Sequence, residues 1–145
     1  MRAVLDFNMP QKIIFEVGLL FNGLSVIRRQ FLESTDLSVS PILVGELLSV
    51  IQDFSITTHG NIIPQVLQME DFTTCLHKFN MNGESSSYLL YVICRVSTPD
   101  IRQTLENLAV ELKTFDNVLL NWNTDSESLL NLYPLFEEFF LPFNK

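Results

Sequence analysis

The first apolar runs of the chain have the composition of paired β-strands. Residues 12–21 and 24–31 are rich in β-branched and aromatic side chains, and an Asn-Gly pair separates them. Such a pair between two apolar runs is typical of a tight hairpin, because both central residues of a type I′ turn need positive φ. We therefore predict strands 1 and 2 here. Arg28 and Arg29 indicate that strand 2 is the more exposed one and lies at a sheet edge.

The apolar spacing then changes to that of a helix. Ser40 and Pro41 supply an N-cap residue and the proline preferred at the first helical position. Residues 42–55 repeat apolar side chains at three- and four-residue steps. Val44 and Leu48 widen this apolar stripe beyond the width that a half-buried helix needs. The pattern predicts the first helix, and its apolar surplus is explained either by deep packing or by a partner interface.

Three further strands are predicted at residues 61–70, 72–80 and 86–97. Pro64 has no N–H to donate to a neighbouring strand, which favours an edge position for strand 3. Strand 5 is apolar on both faces, with residues 88, 90, 92, 94 and 96 on one face and 89, 91 and 93 on the other. A strand of this kind is covered on both sides, so strand 5 is predicted to be central.

A second Asn-Gly pair, at residues 82–83, predicts the turn between strands 4 and 5. With a two-residue loop there, Cys75 faces Leu90 and Cys94 faces Asp71, so the cysteines are not cross-strand partners. Two cysteines are too few for a disulfide framework. Their position in strands favours a role as small core side chains.

Two helices are predicted in the last third of the chain. Thr98 and Pro99 form an N-cap and a first-turn proline, and a capping-box pattern at 124–127 marks the start of the last helix. Pro134 is expected to bend that last helix. The first of the two carries one apolar stripe, formed by Ile101, Leu105, Leu108, Leu112 and Phe115. The last carries Leu129, Leu132, Tyr133, Phe136, Phe139 and Phe140.

The resulting order, β-β-α-β-β-β-α-α, predicts one α+β domain over residues 1–145 with its core at about 12–140. Together with the segments IIFEVGLLFNGLSVIRRQF, PILVGELLSVIQDFS and YLLYVICRV, this order resembles the longin-like domains of the longin/roadblock superfamily, in particular those of archaea. The resemblance implies a single five-stranded, antiparallel-rich sheet of strand order 2-1-5-4-3. It also implies one helix on one face of the sheet and two on the other.

Composition and charge exclude several classes of partner. The chain has 145 residues, 47% of them hydrophobic, and a net charge of −8. So acidic a chain cannot neutralise phosphates, which argues against nucleic acid and anionic membrane surfaces as partners. The longest apolar stretch, residues 88–94, is too short to span a bilayer, and residues 1–12 lack the apolar core of a signal peptide. We therefore expect a cytoplasmic protein without an integral membrane segment.

The sequence has no motif for catalysis or for cofactor binding. It contains neither a P-loop nor a dinucleotide-binding glycine pattern. His59 and His77 have no Cys or His at metal-ligand spacing. Glu137 and Glu138 point about 100° apart on a helix, which favours a solvated face over an acid/base pair. We expect no enzyme activity, no metal and no cofactor.

The resemblance implies a non-enzymatic interaction module that scaffolds or regulates a small Ras-like GTPase in vesicle trafficking. It also implies a homodimer, or a heterodimer with another longin/roadblock domain. The alternative is a profilin- or PAS-like sensor, which needs a ligand cavity between sheet and helix. The candidate interface on the first helix and strand 3 is Val44, Leu48, Ile51, Ile62, Ile63 and Val66. A secondary candidate is Phe139, Phe140 and Phe143.

Overall fold

Five strands form one antiparallel sheet in the computed structural model. The residues it describes are 13–21, 24–31, 49–51, 66–68, 72–80, 87–115, 118–119 and 126–144. The strands are β1 (Ile14–Phe21), β2 (Leu24–Gln30), β3 (Val66–Gln68), β4 (Thr73–Asn80) and β5 (Ser87–Cys94). Their order is β2-β1-β5-β4-β3, and all four pairings are antiparallel. The predicted α+β class, the strand order and the central place of strand 5 are confirmed.

Helices follow the sheet in the order that the sequence predicts. They are α1 (Pro99–Leu112), α2 (Ser126–Leu129) and α3 (Tyr133–Phe140), with 3₁₀ turns at Lys113–Phe115, Leu130–Leu132 and Leu141–Asn144. The Thr98 hydroxyl accepts a hydrogen bond from the N–H of Ile101 at 3.2 Å, which confirms the predicted N-cap. Pro134 lies in the first turn of α3, where its missing N–H is not needed. The predicted last helix is interrupted by the 3₁₀ turn Leu130–Leu132 just before Pro134, and the bend expected at Pro134 stays a prediction.

The sheet separates two apolar cores. One, the α1/α3 core, lies between the sheet and helices α1 and α3. The other, the Ile51 core, lies on the opposite face of the sheet. Residues 49–51 are helical on this face, and the rest of the predicted helix 42–55 is outside the described residues. Strand β5 contributes to both, since Tyr88, Leu90, Val92 and Cys94 enter the α1/α3 core, and Leu89, Tyr91 and Ile93 enter the Ile51 core. The predicted face of each of these side chains is confirmed.

Pairing between β4 and β5 differs from the prediction by two residues. Cys75 lies opposite Val92, and Cys94 lies opposite Thr73. A two-residue loop at 82–83 is therefore wrong, because it would place Asn80 opposite Ser85, whereas Asn80 lies opposite Ser87. The shift is even and side chains alternate with a period of two, so every residue keeps its predicted face. The cysteines are not direct partners, as predicted, but they are diagonal neighbours on one face.

A β-bulge in β1 brings a carboxylate into the sheet interior. Ile14 pairs with Cys94, but Glu16 pairs with Ile93, which leaves Phe15 as the extra residue. Bulges of this kind reorient side chains. Phe15 joins the Ile51 core and Glu16, on the same face, is only 2% exposed.

Gly18 allows an aromatic ring to lie across the backbone of β1. It pairs with Tyr91 of β5, and a Cβ atom on Gly18 would lie 2.3 Å from carbon atoms of the Tyr91 ring. From this position the Tyr91 hydroxyl donates a hydrogen bond of 2.6 Å to Oε2 of Glu16. A side chain at position 18 would displace the ring and separate these two groups.

We expect Gly18→Ala to destabilise the domain by about 1–3 kcal/mol, the usual cost of overpacking a core. The added methyl group must push the Tyr91 ring away from Glu16. Urea denaturation followed by circular dichroism measures the change. In a Tyr91→Leu background the same substitution should cost clearly less, because the clashing ring is absent. Equal costs in the two backgrounds would contradict the steric explanation.

Candidate functional site

The exposed strand β2 forms one edge of the sheet, and its backbone is irregular. Leu19 of β1 pairs with Ile27, whereas Leu20 pairs with Ser25, so Val26 is an extra residue in β2. Val26 and Ile27 are both buried in the α1/α3 core. A bulge bends a strand and interrupts its regular hydrogen-bonding groups, which is one way in which proteins prevent pairing at a sheet edge.

Arg28 of β2 is bound to the buried carboxylate of β1. Its Nε atom lies 3.0 Å from Oε2 of Glu16, the oxygen that also accepts the hydrogen bond from Tyr91. A buried carboxylate is costly unless it is paired and hydrogen-bonded, and Glu16 is both. Burial, together with the neighbouring Glu16 carboxylate, raises the pKa of Tyr91 far above its ordinary value. We call Glu16, Arg28 and Tyr91 the Glu16 network.

The Arg29 side chain lies on the opposite face of the sheet from Arg28. Its Nε atom lies 2.9 Å from Oε1 of Glu137 in α3, and its guanidinium lies 4.7 Å from the centre of the Phe31 ring. Both charged side chains of this pair are about one-third exposed or more, so it contributes little stability by itself. Arg28 and Arg29 therefore do not form an anion-binding patch, since the strand sends them to opposite faces and each binds a carboxylate of this domain.

Strand β3, at the other edge of the sheet, has a different character. Val66–Gln68 carries no charge, and it pairs with β4 along one side. No strand among the described residues pairs with its other side. Val66 packs against the α1/α3 core, Leu67 packs against the Ile51 core, and Gln68 is exposed. The described part of this edge, Val66–Gln68, therefore lacks the bulge and the arginines that occupy the β2 edge.

The residues of the predicted interface on the first helix and strand 3 differ in their burial. Ile51 is fully buried in the core that bears its name, so its assignment to an interface is wrong. Its side chain is enclosed between helix and sheet and has no surface left for a partner. The neighbouring Val50 is 44% exposed, and Val66 is half-buried at the β3 edge. The other members, Val44, Leu48, Ile62 and Ile63, lie outside the described residues.

The secondary candidate at the C-terminal helix packs mainly against the domain itself. Phe140 is fully buried in the α1/α3 core, so its assignment to an interface is wrong, whereas Phe139 and Phe143 are half-buried against the same core. The reason is a polar anchor that the sequence pattern did not reveal. The Asn144 side chain accepts hydrogen bonds from the N–H groups of Ile13 and Ile14 at 2.8 and 2.7 Å. It also donates to the Ile14 carbonyl at 3.0 Å, which fastens the last turn to β1.

A small polar cavity lies between β4 and α1. It has a volume of about 30 Å³ and is lined by Cys75, Leu76, His77, Arg102, Leu105 and Glu106. Such a volume holds one or two water molecules, whereas small-molecule sites usually occupy several hundred Å³. This cavity is therefore too small for the ligand of a sensor domain. No group of three or more His, Cys, Asp or Glu side chains in the described ranges could hold a metal ion.

Cys75 has an unusual environment at this cavity. Its Sγ atom lies 3.3 Å from Oγ of Ser97, and the Cys94 thiol is a near neighbour. The neighbouring Cys94 thiol, the Ser97 hydroxyl and the positive charge of Arg102 together lower the pKa of Cys75 to about 7, although burial acts in the opposite direction. The contact with Cys75, together with burial, raises the pKa of Cys94, whose thiol also donates to the Thr73 carbonyl at 3.3 Å. These surroundings therefore favour the thiolate at Cys75 and the protonated thiol at Cys94.

Comparison with family models, with curated proteins and with solved structures found no match for this chain. Among the described helices, none is long and apolar enough to cross a membrane.

The Glu16 network predicts how stability changes at alkaline pH. The folded state keeps the Tyr91 proton, whereas an unfolded tyrosine loses it near pH 10. The stabilising contribution is therefore complete below about pH 10 and is lost as the pH rises beyond it. Tyr91→Phe removes this ionisation, so its stability should fall less steeply in that range.

At neutral pH Tyr91→Phe should lower the free energy of unfolding by about 1–3 kcal/mol, because Glu16 loses a hydrogen-bond donor inside the protein. Urea denaturation at a series of pH values measures both effects. Parallel alkaline curves for the wild type and the variant would show that Tyr91 ionises in the folded state, contrary to this prediction.

Proposed function

We propose that this domain is a non-enzymatic interaction module that binds a partner by extending its sheet at the β3 edge. The difference between the two sheet edges is the observation that supports this proposal. Strand β2 has a bulge and two arginines held by carboxylates of the same domain. The described part of β3 is uncharged, and one of its sides has no strand partner in the described structure.

Addition of a strand at β3 is physically favourable. An edge strand presents N–H and C=O groups that are already aligned for pairing, so a second strand gains main-chain hydrogen bonds at little conformational cost. Val66 and Leu67 lie on opposite faces and are only half-buried. A partner strand beside them would cover apolar surface in both cores at once.

The partner proposed first is a second copy of this chain or another domain of the longin/roadblock type. The sequence resemblance supports this choice, and it also supports a small Ras-like GTPase as the protein that the paired domains scaffold or regulate. Two copies with a net charge of −8 repel each other at long range. Salt screens such repulsion, so self-association should strengthen at higher ionic strength. A cytoplasmic setting, where such GTPases act, is part of the same proposal.

A non-enzymatic role is consistent with the chemistry of the described residues. The activated Cys75 faces a cavity of about 30 Å³, which has no room for an organic substrate. Glu16 is enclosed by its own partners, Arg28 and Tyr91. The sensor alternative would require a larger cavity than the one between β4 and α1.

We expect Gln68→Lys to weaken self-association about ten-fold or more, because a lysine on an edge strand opposes strand addition. Gln68 is exposed, so the substitution should leave the fold intact. Gln30→Lys is the matched control, since Gln30 is an exposed glutamine on the opposite edge. Light scattering coupled to gel filtration, over a series of protein concentrations and at moderate salt, measures the dimer fraction of each protein.

The wild type and Gln30→Lys should form dimers under conditions in which Gln68→Lys is monomeric. Equal weakening by both substitutions would show that charge alone, and not the β3 edge, controls association. If the wild type is monomeric throughout, pairing between copies is wrong. Binding to small Ras-like GTPases loaded with GDP or a GTP analogue then tests the remaining part of the proposal.

A further inference from the structure

We propose that Cys75 and Cys94 are a peroxide-sensitive dithiol, in which oxidation of Cys75 leads to a disulfide with Cys94 across strands β4 and β5. This inference concerns a modification site and does not depend on the partner proposed above. It stands on the position of the two sulfurs, on the cavity beside one of them and on the polar groups that surround the pair.

The sheet brings the two sulfurs together. Cys94 lies two residues beyond Val92, which is the direct partner of Cys75, so the cysteines are diagonal neighbours. Both side chains belong to the α1/α3 core, and therefore both lie on the same face of the sheet. The two thiols are close enough for each to shift the pKa of the other. Diagonal neighbours in antiparallel strands are close enough for their side chains to interact.

The cavity gives a small oxidant access to one of the two sulfurs. Cys75 lines it together with His77 and Arg102, whereas Cys94 is not among its lining residues. Hydrogen peroxide is only slightly larger than water, so it fits into a volume of about 30 Å³. A maleimide is much too large for this space. The cavity should therefore select a peroxide over bulky thiol reagents.

The polar surroundings assign different roles to the two cysteines. The Ser97 hydroxyl, 3.3 Å from the Cys75 sulfur, and the positive charge of Arg102 favour the thiolate of Cys75. Thiolates and not thiols are the nucleophilic form. Cys94 retains its proton and donates it to the Thr73 carbonyl. Cys75 is thus suited to attack the oxidant, and Cys94, as its diagonal neighbour, is placed to lose its proton and resolve the product.

The proposed reaction consumes one peroxide for each disulfide. The Cys75 thiolate attacks one oxygen of hydrogen peroxide, the O–O bond breaks, and the hydroxide that leaves takes up a proton to become water. Cys75 is now a sulfenic acid. Cys94 loses its proton and attacks the Cys75 sulfur, the S–O bond breaks, and hydroxide and the proton leave as a second water. Two thiols are oxidised and one peroxide is reduced to two water molecules.

The test uses the reduced full chain in its native state. After exposure to hydrogen peroxide at neutral pH, the protein is denatured, its free thiols are blocked with N-ethylmaleimide, and its intact mass is measured. We expect the loss of two hydrogen atoms, no maleimide adduct and a peptide that links Cys75 to Cys94. Two maleimide adducts after peroxide treatment, or a Cys75 sulfinic acid beside an alkylated Cys94, would overturn the proposal.

Single variants separate the two roles. In Cys94→Ser, peroxide should produce a Cys75 sulfenic acid that dimedone traps, whereas in Cys75→Ser the remaining Cys94 should give no dimedone adduct. Equal adducts in the two variants would overturn the assignment of roles. If either variant fails to fold, as judged by circular dichroism, the linked peptide from the wild-type chain still decides the proposal.

Arg102→Gln tests whether the charge beside the cavity activates Cys75. Arg102 is exposed on α1, so its loss should leave the fold intact and slow disulfide formation several-fold. Glu111→Gln, at another exposed position of the same helix, is the matched control and should react at the wild-type rate. An unchanged rate in Arg102→Gln would contradict the role given to this charge.

Discussion

The fold depends on one constraint, which is that the central strand β5 is apolar on both faces. Its alternating side chains enter two separate cores. The sheet therefore has to be covered on both faces for all the β5 side chains to be buried. The burial of these side chains is the main favourable term available to a domain of this size. The structure satisfies this requirement in three ways. The strand order makes β5 central, α1 and α3 lie on one face, and Ile51 packs on the other.

The two cores enclose different polar groups, and each group has local partners. On the Ile51 side, the bulge at Phe15 buries Glu16, and the space above Gly18 lets Tyr91 reach it. On the other side, Cys75 and Cys94 lie next to Ser97 and to a water-sized cavity. Buried polar groups are tolerated only where such partners exist. The Glu16 network and the cysteine pair are therefore each held in place by hydrogen bonds to neighbouring side chains.

The edges of the sheet link this architecture to the proposed interaction. Arg28 and Arg29 hold β2 against both faces of the domain, and they remain bound to Glu16 and Glu137 instead of a ligand. The uncharged strand β3 lies next to β4, where Val66 is the partner of Cys75. The candidate modification site, across β4 and β5, is thus adjacent to the candidate pairing edge, β3.

Local sequence patterns determined the elements and the faces of this protein. Alternation with a period of two assigned the β5 side chains, and Thr98 with Pro99 marked the start of α1, because such signals depend only on near neighbours. They could not determine the β4–β5 register, since a shift of two residues preserves every face.

Only the tertiary structure decided which apolar side chains are interior and which chemical groups meet. Helical spacing is the same for a core residue and an interface residue, so Ile51 and Phe140 were assigned to surfaces although both are fully buried. Similarly, Cys75, Ser97 and Arg102 come from β4, the segment after β5 and α1. Their meeting depends on strand register and helix docking, which are long-range properties that no local pattern contains.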